Sequence, residues 1–510
     1  MKNFNKDKKK ILAQIDSPKL NMPIKDTLDE LENQMDELIV QVNKRIESGE
    51  NKHINLKKAG NEIIWTLPYP KKTDEFNNPF YDQIPPIHIN DLLNFIDQRC
   101  HFMDAFTHIK PHQSKNQADK LCIKGVLIAN ATNLGIYGMS ESCDLKYQSM
   151  LQIEKNYIRL ETLRAVSDRI SDSMAALPIF KRYNLGDLAH GSADAQKYHT
   201  KRETFNSRHS LKYYGTDKGV APYTLILNHA PINVKMIGSH EYEGNHLYDI
   251  LFGNSNINIT FDRVSTDTAG TNNVNFVLLD SRYVDYTPCY KTIRSKTKLI
   301  CSLKDINNYK QLLIKPSRKA NRKLIEDEWP NLQPIFAALM LKETSQSAIV
   351  KKLSSHDRKS KTKDALWEYN NILMSIYLLR YIDDPELRQY VRAALNRGEA
   401  YHQLRRIIAE TNGSEFRGGS DLEIEIWNEC GRLLANAIIF YNATLLSGLM
   451  ALKEQQCDFA AAEFIQKLSP VAIQHINLKG FYEFGKSQRM IDLKEMMGLL
   501  DKILRVHLKR

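Results

Sequence analysis

The feature of this 510-residue sequence that most restricts its fold is a β-rich block at residues 186–267, set between two long stretches with helical periodicity. The block contains the run Tyr223–Leu227 and the alternating residues Ile257, Ile259 and Phe261, punctuated by Gly, Asn and Pro. Apolar residues at period two predict strands, whereas three-and-four spacing predicts helices. Strands followed by helices in one block predict an α/β core with all-α flanking regions.

The periodicity and the charge along the chain divide it into five segments. A Pro-rich stretch, Leu67–Pro86, separates the first helical segment from the rest of the chain. Pro-rich stretches interrupt regular elements and are common between domains. The predicted segments are an N-terminal helical segment at 1–66, a mostly helical domain at 67–185, an α/β core at 186–281 plus 364–450, a basic helical insertion at 282–363, and a C-terminal helical segment at 451–510.

Two features of the sequence indicate where the chain resides. The run Leu433–Leu452 carries no charge over twenty residues and is long enough to span a membrane, but it contains Asn436 and Asn442. Because amides are costly against lipid, we predict a buried helix rather than a membrane span. The seven cysteines form no C-x-x-C pair, and the polar, Lys-rich start has no apolar segment behind it. These features predict a cytoplasmic protein with reduced thiols.

Positive charge is concentrated in residues 282–363. This segment holds 19 Lys and Arg against 7 Asp and Glu, while the whole chain has a formal net charge of +11. A single basic run is often only a solvated face, but such a concentration is typical of proteins that bind the phosphate backbone of nucleic acids. The candidate phosphate contacts in this segment are Lys315, Arg318, Lys319, Arg358 and Lys359.

Three acidic residues occur in sharply defined local sequences. They are Asp194 in His-Gly-Ser-Ala-Asp-Ala-Gln-Lys, Asp267 in Ser-Thr-Asp-Thr-Ala-Gly-Thr-Asn, and Glu399 in Leu-Asn-Arg-Gly-Glu-Ala-Tyr-His. Asp267 follows the alternating strand and precedes a glycine turn, which is where α/β sheets commonly place active sites. Glu399 lies in a predicted helix and shares a face with Gln403 and Arg406. Carboxylates brought together from separate elements bind hard divalent cations such as Mg²⁺.

The local sequences around these carboxylates resemble those of the Tn-three (Tn3) family of replicative transposases. The resemblance extends over residues 65–485 and preserves the order of several independent motifs. Ala195 and Ala269 depart from it, since members often have Gly and His at these positions. The matching motifs are His190–Lys197, Gly219–Gly238, Ser265–Asn272 with Val274–Phe276, Leu395–Ala400, Ile426–Cys430 leading to Ile438–Asn442, and Leu468–Val471 with Gln474–Asn477.

The resemblance implies a ribonuclease-H-like core of the Asp-Asp-Glu class. By it, Asp194, Asp267 and Glu399 would be both the catalytic residues and the ligands of two Mg²⁺ ions, for which Mn²⁺ can substitute. The implied reaction is DNA strand cleavage followed by transfer of the 3′-hydroxyl to target DNA during replicative transposition of a mobile element. Near the carboxylates, the expected DNA contacts are Lys197, Arg202, Arg208 and Arg406.

The partners implied by the resemblance are double-stranded DNA, as transposon ends and as target, and a second copy of the chain, with no membrane. The expected location is the bacterial cytoplasm, in association with the nucleoid. Members of the family are considerably longer and carry an N-terminal portion that recognises the transposon ends. One alternative is therefore a non-catalytic DNA-binding or regulatory remnant, and another is an enzyme completed by a separately encoded N-terminal chain.

Two local patterns suggest other chemistry but lack the required spacing. His190, Ser192 and Asp194 have the residue types of a hydrolase triad, but they alternate on one predicted strand and the G-x-S-x-G motif is missing. The segment His240–His246 has the residue types of a metal site without the H-E-x-x-H spacing. We therefore predict that this second segment is part of the surface.

Overall fold

The computed structural model describes residues 4–15, 17–59, 62–68, 73, 75–110, 112, 118–253, 260–354, 360–485 and 491–508. Within these residues the chain is a mixed α/β protein that forms two compact units. Unit 1 comprises Met1–Lys72, Tyr242–Asn254 and Phe261–Leu395, and unit 2 comprises Thr73–Glu241, Ser255–Thr260 and Asn396–Arg510.

Helices account for most of the regular structure. In chain order they are α1 (Phe4–Ile15), α2 (Pro18–Asn21), α3 (Ile24–Glu47), α4 (Ile89–Cys100), α5 (Lys120–Ala131), α6 (Gly135–Glu141), α7 (Tyr147–Tyr157), α8 (Leu160–Ala175), α9 (Pro178–Arg182), α10 (Leu211–Tyr214), α11 (Leu247–Phe252), α12 (Asn275–Asp280), α13 (Ile293–Thr297), α14 (Arg322–Met340), α15 (Gln346–Ser354), α16 (Lys361–Asp383), α17 (Pro385–Ala409), α18 (Asp421–Gln455), α19 (Phe459–Gln466) and α20 (Leu493–His507).

The strands are short, with two exceptions in the middle of the chain. They are β1 (Asn55–Ala59), β2 (Glu62–Thr66), β3 (Ile87–His88), β4 (His190–Ala195), β5 (Tyr198–Thr200), β6 (Arg208–His209), β7 (Lys218–Leu227), β8 (Ala230–Gly238), β9 (Arg263–Ser265), β10 (Asp285–Tyr286), β11 (Cys301–Ser302), β12 (Arg318–Lys319), β13 (Glu415–Phe416) and β14 (Ile476–Asn477). Of the predicted strand residues, Ile257 and Ile259 lie outside the described part of the chain.

In unit 2 the sheet is built around β7. One edge of β7 pairs antiparallel with β4 and then β5, and the other edge pairs antiparallel with β8 and then β6. The β7–β8 hairpin turns at Asn228 and His229, which both have positive φ values of 46° and 72°. Two successive left-handed residues form the type of turn whose twist matches a hairpin. The Asn228 side chain fixes this turn by donating to the carbonyl of Phe180.

Helix α18 is the core element of unit 2. Within the described residues it is the one helix long and apolar enough to cross a membrane, but 94% of its most apolar window is buried inside the protein. It packs against α4, α5, α8, α19 and β8. The amide of Asn436 donates to the hydroxyl of Ser171, and that of Asn442 to the carbonyls of Pro470 and Ala472. The prediction of a buried helix is therefore confirmed.

Unit 1 is mostly helical. Helix α3 packs against α14 and α16, burying Leu28, Met35 and Val42 along one face. Its strands include the antiparallel pair β1 with β2 and two parallel pairs, β9 with β10 and β11 with β12. Strand β9 ends two residues before Asp267, so this residue follows directly from a strand end. The alternating run predicted as this strand ends at Phe261, which precedes β9 and is not itself part of a strand.

Candidate active site

In unit 2, Asp194 lies near the end of β4, opposite Thr224 of β7. Its side chain is about 37% exposed. Oδ1 accepts a hydrogen bond of 2.9 Å from the amide of Ala195, and Oδ2 lies 3.6 Å from Nδ1 of His402 on α17. The carboxylate is therefore held by its own strand on one side and faces helix α17 on the other.

Helix α17, which carries Glu399, contacts β4 beside Asp194. A Cβ atom at Gly398 would lie 3.2 Å from the side-chain Oγ of Ser192, so the helix meets the strand at this glycine. One turn further along the helix, the carbonyl of His402 accepts a 2.7 Å hydrogen bond from the side chain of Gln196. Glu399 is located between these two contacts, so the structure brings the helix of Glu399 to the strand of Asp194.

The imidazole of His402 is a neutral neighbour of Asp194. Burial, together with the positive charges of Arg406, Lys197 and Arg405, lowers the pKa of His402 to about 3. A positive charge on the ring would be doubly unfavourable, because it would be desolvated and would lie among other cations. At neutral pH, therefore, the ring beside Asp194 is uncharged.

In unit 1, Asp267 caps a short 3₁₀ turn, Thr268–Gly270. Its Oδ1 accepts hydrogen bonds of 2.8 Å and 3.0 Å from the amides of Ala269 and Gly270. These bonds fix the carboxylate and leave Oδ2 unused by the cap. Ala195 and Ala269, the two departures from the family motifs, thus contact Asp194 and Asp267 through backbone amides, which any residue supplies.

A second carboxylate, Glu243, approaches Asp267 within unit 1. One oxygen of Glu243 lies within 4.8 Å of one oxygen of Asp267. The turn that begins at Glu243 comes this close because Gly244 has no side chain, since a Cβ there would lie 2.6 Å from the carbonyl oxygen of Gly270. The amide of Asn272 joins the two turns by donating to the carbonyl of Gly244 at 2.8 Å.

The prediction that the segment His240–His246 is part of the surface is wrong for its second half. Glu243 and His246 are buried, with exposed fractions of 9% and 4%. Spacing was a poor guide here because Glu243 meets Asp267 through a tertiary contact between two turns. The pair Glu243-Gly244 was the available signal, since glycine beside a carboxylate permits a close backbone approach.

The predicted DNA contacts near the carboxylates belong to unit 2. Arg202, Arg208 and Arg406 are exposed, and Lys197 is close enough to His402 to lower its pKa. Arg208 lies 3.7 Å from Glu203.

The predicted contacts of the basic insertion differ in their surroundings. Lys315 and Lys319 are exposed, whereas Arg318 donates to both carboxylate oxygens of Glu368 at 2.9 Å. Arg358 and Lys359 lie outside the described residues. The charge of Arg318 is therefore engaged within unit 1.

Comparison with known proteins connects this arrangement to one family. Residues 91–482 match the family model described as "Tn3 transposase DDE domain". This match confirms the resemblance inferred from the motifs.

The curated relatives of the chain include the following three transposases. The chain is 25% identical over 475 residues to the transposase for transposon gamma-delta of Escherichia coli, covering 88% of this chain and 45% of the relative. It is 28% identical to the transposase for transposon Tn2501 of Escherichia coli, covering 81% and 41%. It is 26% identical to the transposase for transposon Tn501 of Pseudomonas aeruginosa, also covering 81% and 41%. The chain thus spans less than half the length of these relatives.

Proposed function

Since the chain belongs to the Tn3 transposase family, we propose that it catalyses DNA strand cleavage and transfer of the 3′-hydroxyl to target DNA during replicative transposition. We propose a ribonuclease-H-like core for it, with Asp194, Asp267 and Glu399 as the catalytic residues. The observation that carries the proposal is the packing of α17 on β4, because it brings the helix of Glu399 to the strand of Asp194.

The donor groups around the proposed site fit Mg²⁺. The candidate ligands are carboxylate oxygens, which hard divalent cations prefer, and the neighbouring imidazole of His402 is neutral and adds no positive charge. Asp194, Asp267 and Glu399 would hold two Mg²⁺ ions, with Mn²⁺ as a substitute, and Glu243 lies near enough to Asp267 to contribute. When bound, the ions would activate a water or a 3′-hydroxyl and stabilise the leaving oxygen.

The residues of the chain itself position the reacting groups. The two backbone amides that donate to Oδ1 of Asp267 orient its carboxylate, and α17 orients Glu399. Exposed cations would neutralise the DNA backbone without reading its sequence. The proposed phosphate contacts are Lys197, Arg202, Arg208, Lys315, Lys319, Arg358, Lys359 and Arg406, whereas Arg318 would first have to leave Glu368 to join them.

The partners follow from the same proposal. The chain would bind double-stranded DNA, both as transposon ends and as target, in the nucleoid of a bacterial cell. Two copies would act together, since both ends of a mobile element must be joined to one target. A separately encoded chain would contribute to end recognition.

Strand joining by the purified 510-residue chain tests the proposal. A labelled duplex with a recessed 3′-hydroxyl is incubated with supercoiled plasmid and Mg²⁺ or Mn²⁺, and nicked and joined products are separated on gels. We expect products with the unsubstituted chain and their loss in Asp194→Asn, Asp267→Asn and Glu399→Gln.

The matched control is Asp187→Asn, which removes the charge of an exposed aspartate that precedes β4. It should form products at the rate of the unsubstituted chain. DNA binding that depends on salt but is indifferent to metal, without cleavage or joining, would refute the catalytic proposal and favour a DNA-binding remnant.

A further inference from the structure

The segment Lys201–Lys212, which we call the basic loop, presents two large apolar side chains to solvent. Phe205 is 74% exposed and Leu211 is 87% exposed. Among the described residues, Leu211 is the most exposed large hydrophobic side chain and Phe205 the most exposed phenylalanine. Single exposed apolar residues are common, but two in one short loop indicate a contact surface.

The charges of the loop indicate what kind of partner it contacts. The loop contains one acidic residue, Glu203, and four cations, which are Lys201, Arg202, Arg208 and Lys212. Glu203 itself is compensated, because Lys218 lies 3.0 Å and Arg208 3.7 Å from its carboxylate. An apolar side chain among several cations suits a nucleic acid, which offers phosphates to the cations and base faces to the ring.

The loop holds Phe205 outward because the residues on both sides of it are anchored. The hydroxyl of Thr204 and the amide of Asn206 both donate to Oδ1 of Asp421, the first residue of α18, at 2.6 Å and 3.1 Å. The carbonyl of Phe205 accepts from Nε of Arg208 at 3.0 Å. A ring whose flanking backbone is fixed in this way stays exposed and loses little further freedom when it binds.

Asp194 and the basic loop both pair with β7, so the register of the sheet gives their separation along that strand. Asp194 pairs with Thr224 of β7, whereas His209 of the loop pairs with Lys218 of the same strand. Six residues of an extended strand span roughly 20 Å. A duplex that ran along β7 would rise by the same length over about six base pairs, at 3.4 Å per pair.

We propose that Phe205 is a DNA wedge, with Leu211 as a second apolar contact. Phe205 would insert between neighbouring bases and unstack them about six base pairs from the phosphate that reacts near Asp194. The cations of the basic loop would hold the phosphates on either side. The wedge rests on the proposed function, since it takes DNA as the partner, but unstacking needs no chemistry and can be observed without it.

Fluorescence of 2-aminopurine, which rises when the base is unstacked, tests the wedge. The probe is placed in turn at each position of a duplex with a recessed 3′-hydroxyl, and the chain is added in Ca²⁺ so that no strand is cut. We expect the unsubstituted chain to raise the fluorescence severalfold at one or two adjacent positions. Phe205→Ala should lose this signal and bind about tenfold more weakly, since stacking is lost. Phe205→Trp should keep both.

The matched control is Phe459→Ala, which removes a phenylalanine of similar exposure, 67%, beside Asp458 at the start of α19. It should retain the signal. The slope of binding against salt should be the same in Phe205→Ala as in the unsubstituted chain, because no cation is removed.

Strand joining in Mg²⁺ separates failure of the wedge from failure of the proposed function. Joining without a Phe205-dependent signal at any position would overturn the wedge and leave the catalytic function standing. A Phe205-dependent signal without joining would support the wedge and overturn the catalytic function. If Phe205→Ala instead changed only the association of the chain with itself, the loop would be a protein contact and the wedge would be wrong.

Discussion

Gly244 is the position at which one added methyl group should disable the proposed site without unfolding the protein. Its Cβ would lie 2.6 Å from the carbonyl oxygen of Gly270, whereas ordinary contacts begin at 3.4 Å, so the two turns must separate by about 3.4 − 2.6 = 0.8 Å. The Gly270 carbonyl cannot easily rotate away, because it accepts from Asn275 and Tyr286 at 3.2 Å each. Gly244→Ala should therefore move Glu243 away from Asp267.

The expected cost can be worked from this displacement. A shift of roughly 1 Å in a reacting group can lower a rate about 100-fold, so we expect Gly244→Ala to reduce strand joining by roughly 10- to 100-fold. Overpacking should lower the free energy of unfolding by about 1–3 kcal/mol, which leaves the protein folded at 25 °C. Joining is measured by gel at saturating Mg²⁺, and stability by urea unfolding.

The control is Gly498→Ala in α20, where an added Cβ meets no atom within 4 Å of those described. It should leave joining unchanged and should stabilise its helix by up to about 1 kcal/mol, because alanine is the better helix former. Joining by Gly244→Ala within twofold of the unsubstituted chain would show that the spacing between Glu243 and Asp267 does not matter for catalysis.

Three further outcomes are expected. Glu243→Gln should raise the Mg²⁺ concentration needed for half-maximal joining severalfold, measured by metal titration, and an unchanged titration would exclude Glu243 from the metal site. Gly431→Ala should destabilise the chain by about 1–3 kcal/mol in urea unfolding, because the new Cβ would overlap the buried guanidinium of Arg405, which packs over the rings of Tyr198 and Trp427. Burial raises the pKa of Asp168 to about 6, so the folded state favours the protonated carboxyl. The contribution of this group to the free energy of unfolding is therefore fully present below pH 3.8 and is lost as the pH rises through 6. Asp168→Asn should remove that loss, and equal pH slopes of unfolding between pH 4 and 6.5 for the two chains would contradict it.

Some residues of the proposed site could be predicted from the sequence and others could not. The helix of Glu399 follows from local periodicity and is present in the structure. A strand does precede Asp267, but it is Arg263–Ser265, whereas the alternating run that predicted it ends at Phe261. The contact of α17 with β4 joins residues about 200 positions apart, and only the family motifs pointed to it. The burial of Glu243 was missed because it depends on a glycine contact between two turns rather than on a repeating pattern.

The organisation of unit 1 also lies beyond local patterns. It joins the N-terminal residues 1–72 to residues 261–395 through the packing of α3 on α16. Helical periodicity identifies the apolar face of α3, since Leu28 and Met35 are fully buried, but it does not identify the helix that covers that face. Elements can be predicted from the order of apolar residues, whereas their partners depend on shape and on contacts distant in the chain.

The basic residues of 282–363 show the same difference, because their number is visible in the sequence but their contacts are not. The excess of cations in residues 282–363 pointed to a nucleic acid, yet part of that charge is used within unit 1. Arg322 lies within 3.5 Å of Asp29 and Glu32 on α3, and Lys304 lies 2.7 Å from Asp36 on the same helix. A cation that already contacts a carboxylate releases little when it meets a phosphate, because it must first give up that partner. The count of basic residues therefore indicates the class of partner, whereas which of these residues contact the partner depends on the surroundings of each cation in the folded chain.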